Sequence, residues 1–175
     1  MLPSRTATLC FWLRNILIVT LSFAISEIIQ QLYIDKRIAV NYTALFNLIV
    51  IVTFFNAPLS CLWYSKILDL IVPSANATSL LTVVFRTLAD TLIASPILQL
   101  GFFVGIDYFE GKPDLLYQVK YKMPYTLPFS FMFWVPVQLI NFRCIAVERR
   151  IIYISFFSFI WNFVLCYFKN HTIMS

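Results

Sequence analysis

The chain has 175 residues, of which 61% are hydrophobic, 18% aromatic and only 12% charged, and its formal net charge is +5. A soluble domain carries about 25% charged residues, so this composition, with a mean hydropathy of +0.82, excludes a soluble globular protein. The basic residues lie beside apolar segments, where they commonly anchor to lipid headgroups, and they do not indicate binding to nucleic acid.

Five long apolar segments predict an all-α fold, a polytopic membrane helix bundle with four to five hydrophobic helices. The predicted helices cover residues 9–32, 38–65, 80–106, 123–147 and 151–168. The apolar runs are continuous and do not alternate with polar residues, which favours helices over a transmembrane β-barrel. No repeat or linker interrupts the sequence, so residues 1–175 are expected to form a single transmembrane domain.

The first segment runs past Ala24 into a polar cluster that contains Glu27 and Gln31. A signal peptide cleaved after Ala24 is the competing interpretation, but the apolar run continues beyond that position, which favours an uncleaved helix. A carboxylate within such a helix needs an interior partner. Arg149 or Arg150 is a candidate, depending on whether the fourth segment spans the membrane.

The second segment contains Pro58, which lacks a backbone donor and is expected to kink the helix and free the carbonyl of Phe54. Small and polar residues recur at helical spacing along this segment and predict a face that packs closely against another helix. They are Thr53, Ala57, Ser60 and Tyr64.

The third segment carries two opposite charges, Arg86 and Asp90, one helical turn apart. A charge deep in a bilayer costs about 2.5 to 3.5 kcal/mol on insertion scales, so each charge needs a partner or a place near the interface. Because residues four apart share a helix face, we expect Arg86 to pair with Asp90.

The fourth segment is rich in proline and contains two amides, Gln138 and Asn141, which lie three residues apart and share a helix face. Trp134 lies one turn before Gln138. We expect these three side chains to face the interior of the bundle. Pro136 should bend or break the helix here.

This part of the chain resembles the signature of the 22-kDa peroxisomal membrane protein (Mpv-seventeen) family, which runs Trp-Pro, Gln, Asn-Phe, Val-Pro, Arg and a terminal Trp-Asn. The matching residues are Trp134, Pro136, Gln138, Asn141, Phe142, Arg150, Trp161 and Asn162. Val135 and Ala146 stand where the family has proline. The family is usually described as having four spans, which implies that one of the five segments, the proline-rich fourth, is partly interfacial.

Members of that family are integral proteins of the mitochondrial inner membrane or the peroxisomal membrane, and several are described as relatively non-selective channels. The resemblance therefore implies a small pore for solutes, and the mitochondrial inner membrane is favoured over the peroxisomal membrane. The polar residues expected in the pore or the bundle interior are Glu27, Gln31, Arg86, Asp90, Gln138 and Asn141. The alternative is a structural or assembly factor, in which the same groups only hold helices together.

Nothing in the sequence supports an enzyme. No acidic residue near the apolar segments has a His or Cys partner at a recognisable spacing, and the single histidine, His171, lies in the tail. We therefore expect no catalytic residue, metal site or cofactor. The expected partners are membrane lipids and small solutes, with a homo-oligomer left open and no nucleic acid.

Overall fold

The computed structural model describes residues 5–73, 79–145 and 147–170, and every regular element in them is helical. Within these residues the helices are α1 (Arg5–Ile29), α2 (Tyr42–Ile71), α3 (Leu80–Phe109), α4 (Tyr117–Tyr121), α5 (Met123–Cys144) and α6 (Val147–Asn170). The predicted all-α class is confirmed. The five hydrophobic helices fall where the sequence predicts them, and α4 is a short addition in the loop before α5.

Three helical stretches in the described residues are long and apolar enough to cross a membrane. They are Trp12–Ile34, which includes most of α1 and the turn that follows it, and the whole of α2 and α3. A shorter apolar stretch, Tyr153–Phe168, lies within α6. The proline-rich α5 is not among them.

The second helix begins four residues later than predicted, at Tyr42, because Asn41 caps it. Asn41 has an extended backbone, and its side-chain oxygen accepts a hydrogen bond from the backbone N–H of Ala44 at 3.1 Å. The helix also continues to Ile71, six residues past the predicted end at Ser65. That extension matters for the site, since it brings the last turn of α2 beside the start of α3.

Wide π-helical turns interrupt the long helices at Gln30–Ile34, Val52–Asn56, Trp63–Ile67 and Asp90–Ala94. Two of these turns end two residues before a proline, Pro58 in α2 and Pro96 in α3. A proline in a helix crowds the carbonyl four residues earlier and leaves it without a donor. That carbonyl belongs to a π turn in both helices, where the wider ring of backbone accommodates it.

Two apolar clusters hold the helices together. The larger cluster joins four helices through Phe23 of α1, Val52 of α2, Phe102 of α3 and Trp161 of α6. The smaller cluster joins α2, α3 and α5. Its buried members are Trp63, Leu68, Val83, Ala89, Ala94 and Phe142.

Two glycines of α3, Gly101 and Gly105, allow α2 to pack closely against it. A Cβ atom added to Gly101 would lie 1.9 Å from the ring of Phe55, and one added to Gly105 would lie 2.9 Å from Ile51. Glycines four residues apart in an apolar helix commonly form a contact surface for a second helix. Here both glycines are occupied by α2 of the same chain.

Candidate functional site

A cavity of about 690 Å³ lies inside the bundle, and α1, α2, α3, α5 and α6 all contribute to its wall. Each of these helices places at least one polar side chain there. The polar residues of the wall are Arg14, Asn15, Asn56, Ser60, Tyr64, Ser65, Asp69, Arg86, Asp90, Ser95, Gln99, Asn141, Ser155, Ser158 and Asn162. Polar side chains thus line a cavity within the bundle, while many large apolar side chains are exposed on the outer surface.

The cavity reaches the protein surface at one end and has an aromatic pair beside its other end. Arg14 in its wall is exposed, and 52% of the Asp69 side chain is exposed. At the other end Phe23 is the last α1 residue in the wall, and its ring packs 5.9 Å from that of Phe102, centroid to centroid. The two ends therefore differ: one is charged and exposed, and the other lies beside buried aromatic rings.

Arg86 is held at the open end by α2, and the predicted pair with Asp90 is wrong. The Arg86 guanidinium forms an ion pair with Asp69 and donates a 2.9 Å hydrogen bond to the carbonyl oxygen of Val72. It also lies 6.0 Å from the centre of the Phe142 ring. Helical side chains lean toward the N-terminus of their helix, and for Arg86 this is the direction in which the end of α2 lies.

Asp90 instead belongs to a hydrogen-bonded cluster that joins α2, α3 and α5. The indole N–H of Trp63 donates to Asp90 Oδ1 at 3.0 Å, and the Gln138 amide donates to Asp90 Oδ2 at 2.7 Å. The same Gln138 amide donates to the hydroxyl of Tyr64 at 2.7 Å, and Asn141 donates to Gln138 Oε1 at 3.0 Å. We name these five residues the Asp90 cluster.

The Asp90 cluster lies partly in the wall and partly behind it. Asp90, Asn141 and Tyr64 line the cavity, whereas Gln138 and Trp63 do not. Gln138 and Asn141 are both buried, at 0% and 2% exposure, so the amides of α5 face the interior of the bundle. Trp134, expected on the same side, is half-buried and lines the cavity.

Glu27 and Gln31 form a separate buried pair outside the cavity wall. Gln31 donates a 2.8 Å hydrogen bond to Glu27 Oε1, and Gln31 Oε1 accepts one from the backbone N–H of Asn41 at 2.6 Å. Gln31 is thus a hydrogen-bond partner of Glu27, and a pair between Glu27 and an arginine at the start of α6 stays a prediction. Arg149 is exposed, and the side chain of Arg150 lies outside the described residues.

Most residues that carry the family resemblance gather around the cavity. Trp134, Asn141, Phe142, Trp161 and Asn162 all line it. The rings of Trp134 and Trp161 contact each other edge to face, with centroids 6.4 Å apart. Pro136 is exposed on the opposite side of α5, and Gln138 lies behind the wall. Five of the eight signature residues therefore line the cavity, and they come from both α5 and α6.

Sequence reasoning missed three buried amides of the wall, Asn15, Asn56 and Gln99. Each stands in an apolar run, which is the signal that could have singled them out. It also missed Asp69, the ionic partner of Arg86, since Asp69 comes 17 residues earlier in the chain. Only the extra turns at the end of α2 bring the two together.

Comparison with known proteins agrees with the resemblance read from the signature. The model of the Mpv17 / PMP22 family matches residues 107–166, from the end of α3 to α6. The chain is related to the Mpv17/PMP22 family. The match covers the Trp134–Asn162 signature and the α5 and α6 walls of the cavity, and it confirms the predicted family.

Curated relatives of the Mpv17/PMP22 type extend the similarity over most of the chain. The chain is 28% identical over 163 residues to "Mpv17-like protein" of Xenopus laevis, covering 93% of this chain and 78% of that protein. It is 28% identical over 151 residues to "Mitochondrial inner membrane protein Mpv17" of Danio rerio, covering 83% and 82%. To "Peroxisomal membrane protein 2" of Bos taurus it is 27% identical over 110 residues, covering 62% and 54%.

No solved structure matches the chain. The apolar helices and the Mpv17/PMP22 relationship together show that this is an integral membrane protein. Among the described residues, no group of three or more His, Cys, Asp or Glu side chains could hold a metal ion.

Proposed function

We propose that the protein is a small channel for solutes in an organellar membrane. The observation that carries this proposal is the polar cavity: five helices enclose about 690 Å³ in the middle of an apolar bundle and line it with amide, hydroxyl and charged groups. Polar side chains in membrane helices are costly unless they serve packing or a solute pathway. Here the polar groups surround one common cavity. Polar contacts that only hold helices together would not need such a cavity.

The alternative, a structural or assembly factor without a pathway, is favoured by a different observation. Several polar groups expected in a pore bind each other directly: Gln138 contacts Asp90 and Asn141, and Gln31 contacts Glu27. At the aromatic end, Phe23 of the wall also packs against the buried ring of Phe102, which leaves apolar rings beside any path through that end. A solute that crossed the protein would have to pass these rings.

Solute entry into liposomes that contain the purified protein separates the two functions. Isosmotic swelling reports neutral solutes directly, and charged ones when an ionophore lets the counter-ion follow, so we would measure it in this way for a panel of small solutes against protein-free liposomes. A channel accelerates swelling in at least one solute in proportion to the amount of protein incorporated. Swelling at the protein-free rate in every solute would contradict the channel and support the assembly role.

We further propose the mitochondrial inner membrane as the location, ahead of the peroxisomal membrane. The alignment with the Danio rerio protein, whose name places it in the mitochondrial inner membrane, covers 83% of this chain, against 62% for the peroxisomal protein of Bos taurus. Membrane lipids are its expected contacts, since many large apolar side chains are exposed. Imaging of the tagged protein against markers of both organelles tests this, and co-localisation with the peroxisomal marker would overturn it.

A further inference from the structure

We infer that the cavity accepts an uncharged, hydroxyl-rich solute, a small polyol, in preference to an ion of similar size. This inference rests on the proposed function, because it names the class of solute for the same cavity. Three features of the wall support it: its charges cancel, its amides have unused hydrogen-bonding capacity, and one side is aromatic.

The formal charges of the cavity wall sum to zero. Among the described residues that line it, Arg14 and Arg86 are basic and Asp69 and Asp90 are acidic, which gives two positive and two negative charges. Arg86 is already paired with Asp69. An ion that enters a low-dielectric interior loses hydration and needs a net opposite charge in return. This wall offers an ion no such excess, whereas a neutral solute needs none.

Five buried amide side chains of the wall each retain one atom without a hydrogen-bond partner. These atoms are Asn15 Oδ1, Asn56 Oδ1, Gln99 Oε1, Asn141 Oδ1 and Asn162 Nδ2. The last torsion of an amide side chain is soft, so each group can turn its free atom toward the cavity, at the cost of one existing hydrogen bond in Asn56, Gln99 and Asn141. A hydroxyl group both donates and accepts, so it can bind either amide atom. An ammonium group only donates and a carboxylate only accepts, so neither can use the whole set.

Two indole rings, Trp134 and Trp161, supply an apolar side to the cavity. The carbon backbone of a polyol has C–H groups that can pack on such rings while its hydroxyl groups face the amides. The cavity volume of about 690 Å³ also falls within the roughly 300 to 1,000 Å³ that small-molecule sites occupy.

Three solutes with the same six-carbon skeleton test the inference: sorbitol is neutral, gluconate is an anion and glucamine is a cation. Each would be offered to liposomes that contain the full-length protein, with protein-free liposomes subtracted. We expect sorbitol to enter at least about tenfold faster than either ion, given the cost of burying an uncompensated charge. Equal rates for all three would overturn the inference while leaving the channel in place.

A matched pair of variants tests the role of the amides. Gln99 and Gln118 are both buried glutamines with an unpartnered Oε1, but only Gln99 lines the cavity. We expect Gln99→Leu to lower sorbitol entry about fivefold, the factor that one hydrogen bond of ordinary strength supplies. Gln118→Leu should leave it unchanged. Equal effects of the two variants would contradict binding of the polyol by the wall.

If no solute enters above the protein-free rate, the channel proposal fails, and binding alone then decides the inference. Tryptophan emission of the detergent-solubilised protein is suited to this, because two of its indoles line the cavity. A saturable change with sorbitol, absent with gluconate and weakened in Gln99→Leu, would support a polyol site without transport. No change with sorbitol would overturn the inference as well.

Discussion

Gln138 is the side chain whose loss should most disturb the contact between α5, α2 and α3. It takes part in three hydrogen bonds, to Asp90 and to Tyr64 at 2.7 Å each and from Asn141 at 3.0 Å, and it is 0% exposed. Side-chain hydrogen bonds between membrane helices average about 0.6 kcal/mol and reach about 1.7. Three such bonds predict that Gln138→Leu lowers the free energy of unfolding by about 2 to 3 kcal/mol.

The assay is reversible unfolding in mixed micelles, followed by far-ultraviolet circular dichroism as the fraction of denaturing detergent increases. Gln118→Leu is the matched control, since Gln118 is equally buried but outside the Asp90 cluster, and its replacement should cost much less. A double-mutant cycle with Asp90→Ala should show coupling of about 1 kcal/mol between the two positions. Effects that add within about 0.5 kcal/mol would refute the direct bond between Gln138 and Asp90.

Two further predictions concern the packing of α2 on α3. Asp69→Asn should leave the Arg86 side chain, which is only 6% exposed, without its ionic partner. We expect the free energy of unfolding to fall by about 1 to 3 kcal/mol. This loss is smaller than for a fully buried pair, because Asp69 is half-exposed. Asp69→Asn combined with Arg86→Gln should be milder than Asp69→Asn alone, and a sum of the two single losses would count against the pair. Gly105→Ala should lower the free energy of unfolding by about 1 to 3 kcal/mol in the same detergent unfolding assay, since the added methyl group meets the buried Ile51. An unchanged unfolding midpoint would contradict that close contact.

The class of fold and the helices were predictable because apolar length and the low charged fraction are properties of the sequence itself. The interior position of Gln138 and Asn141 was also accessible, since residues three apart share a helix face. The partner of Arg86 could not be predicted from the sequence. Local spacing favoured Asp90, but helix direction and the extra turns at the end of α2 bring Asp69 close instead.

The π-helical turns explain why the cavity wall could be predicted only in part. Each extra residue in a turn rotates the rest of the helix, so the spacing rules that hold before Asn56 or Asp90 no longer give the same face after it. Pro58 and Pro96 both indicate an irregular helix, and a kink at Pro58 was predicted. The sequence does not show whether the irregularity is a kink, a break or a π-helical turn. Gln99, one turn past Pro96, was therefore missed.

Blocking the cavity and measuring solute entry tests the central claim most directly. Ser158 of α6 lines the cavity, and Ile160, two residues later, is exposed on the apolar surface. Both Ser158→Trp and Ile160→Trp add an indole to the same helix, and circular dichroism and gel filtration would show that each variant is folded. The account predicts that Ser158→Trp reduces swelling of liposomes in sorbitol to near the protein-free rate while Ile160→Trp keeps the wild-type rate. Folded Ser158→Trp protein that admits sorbitol at the wild-type rate would contradict a pathway through this cavity.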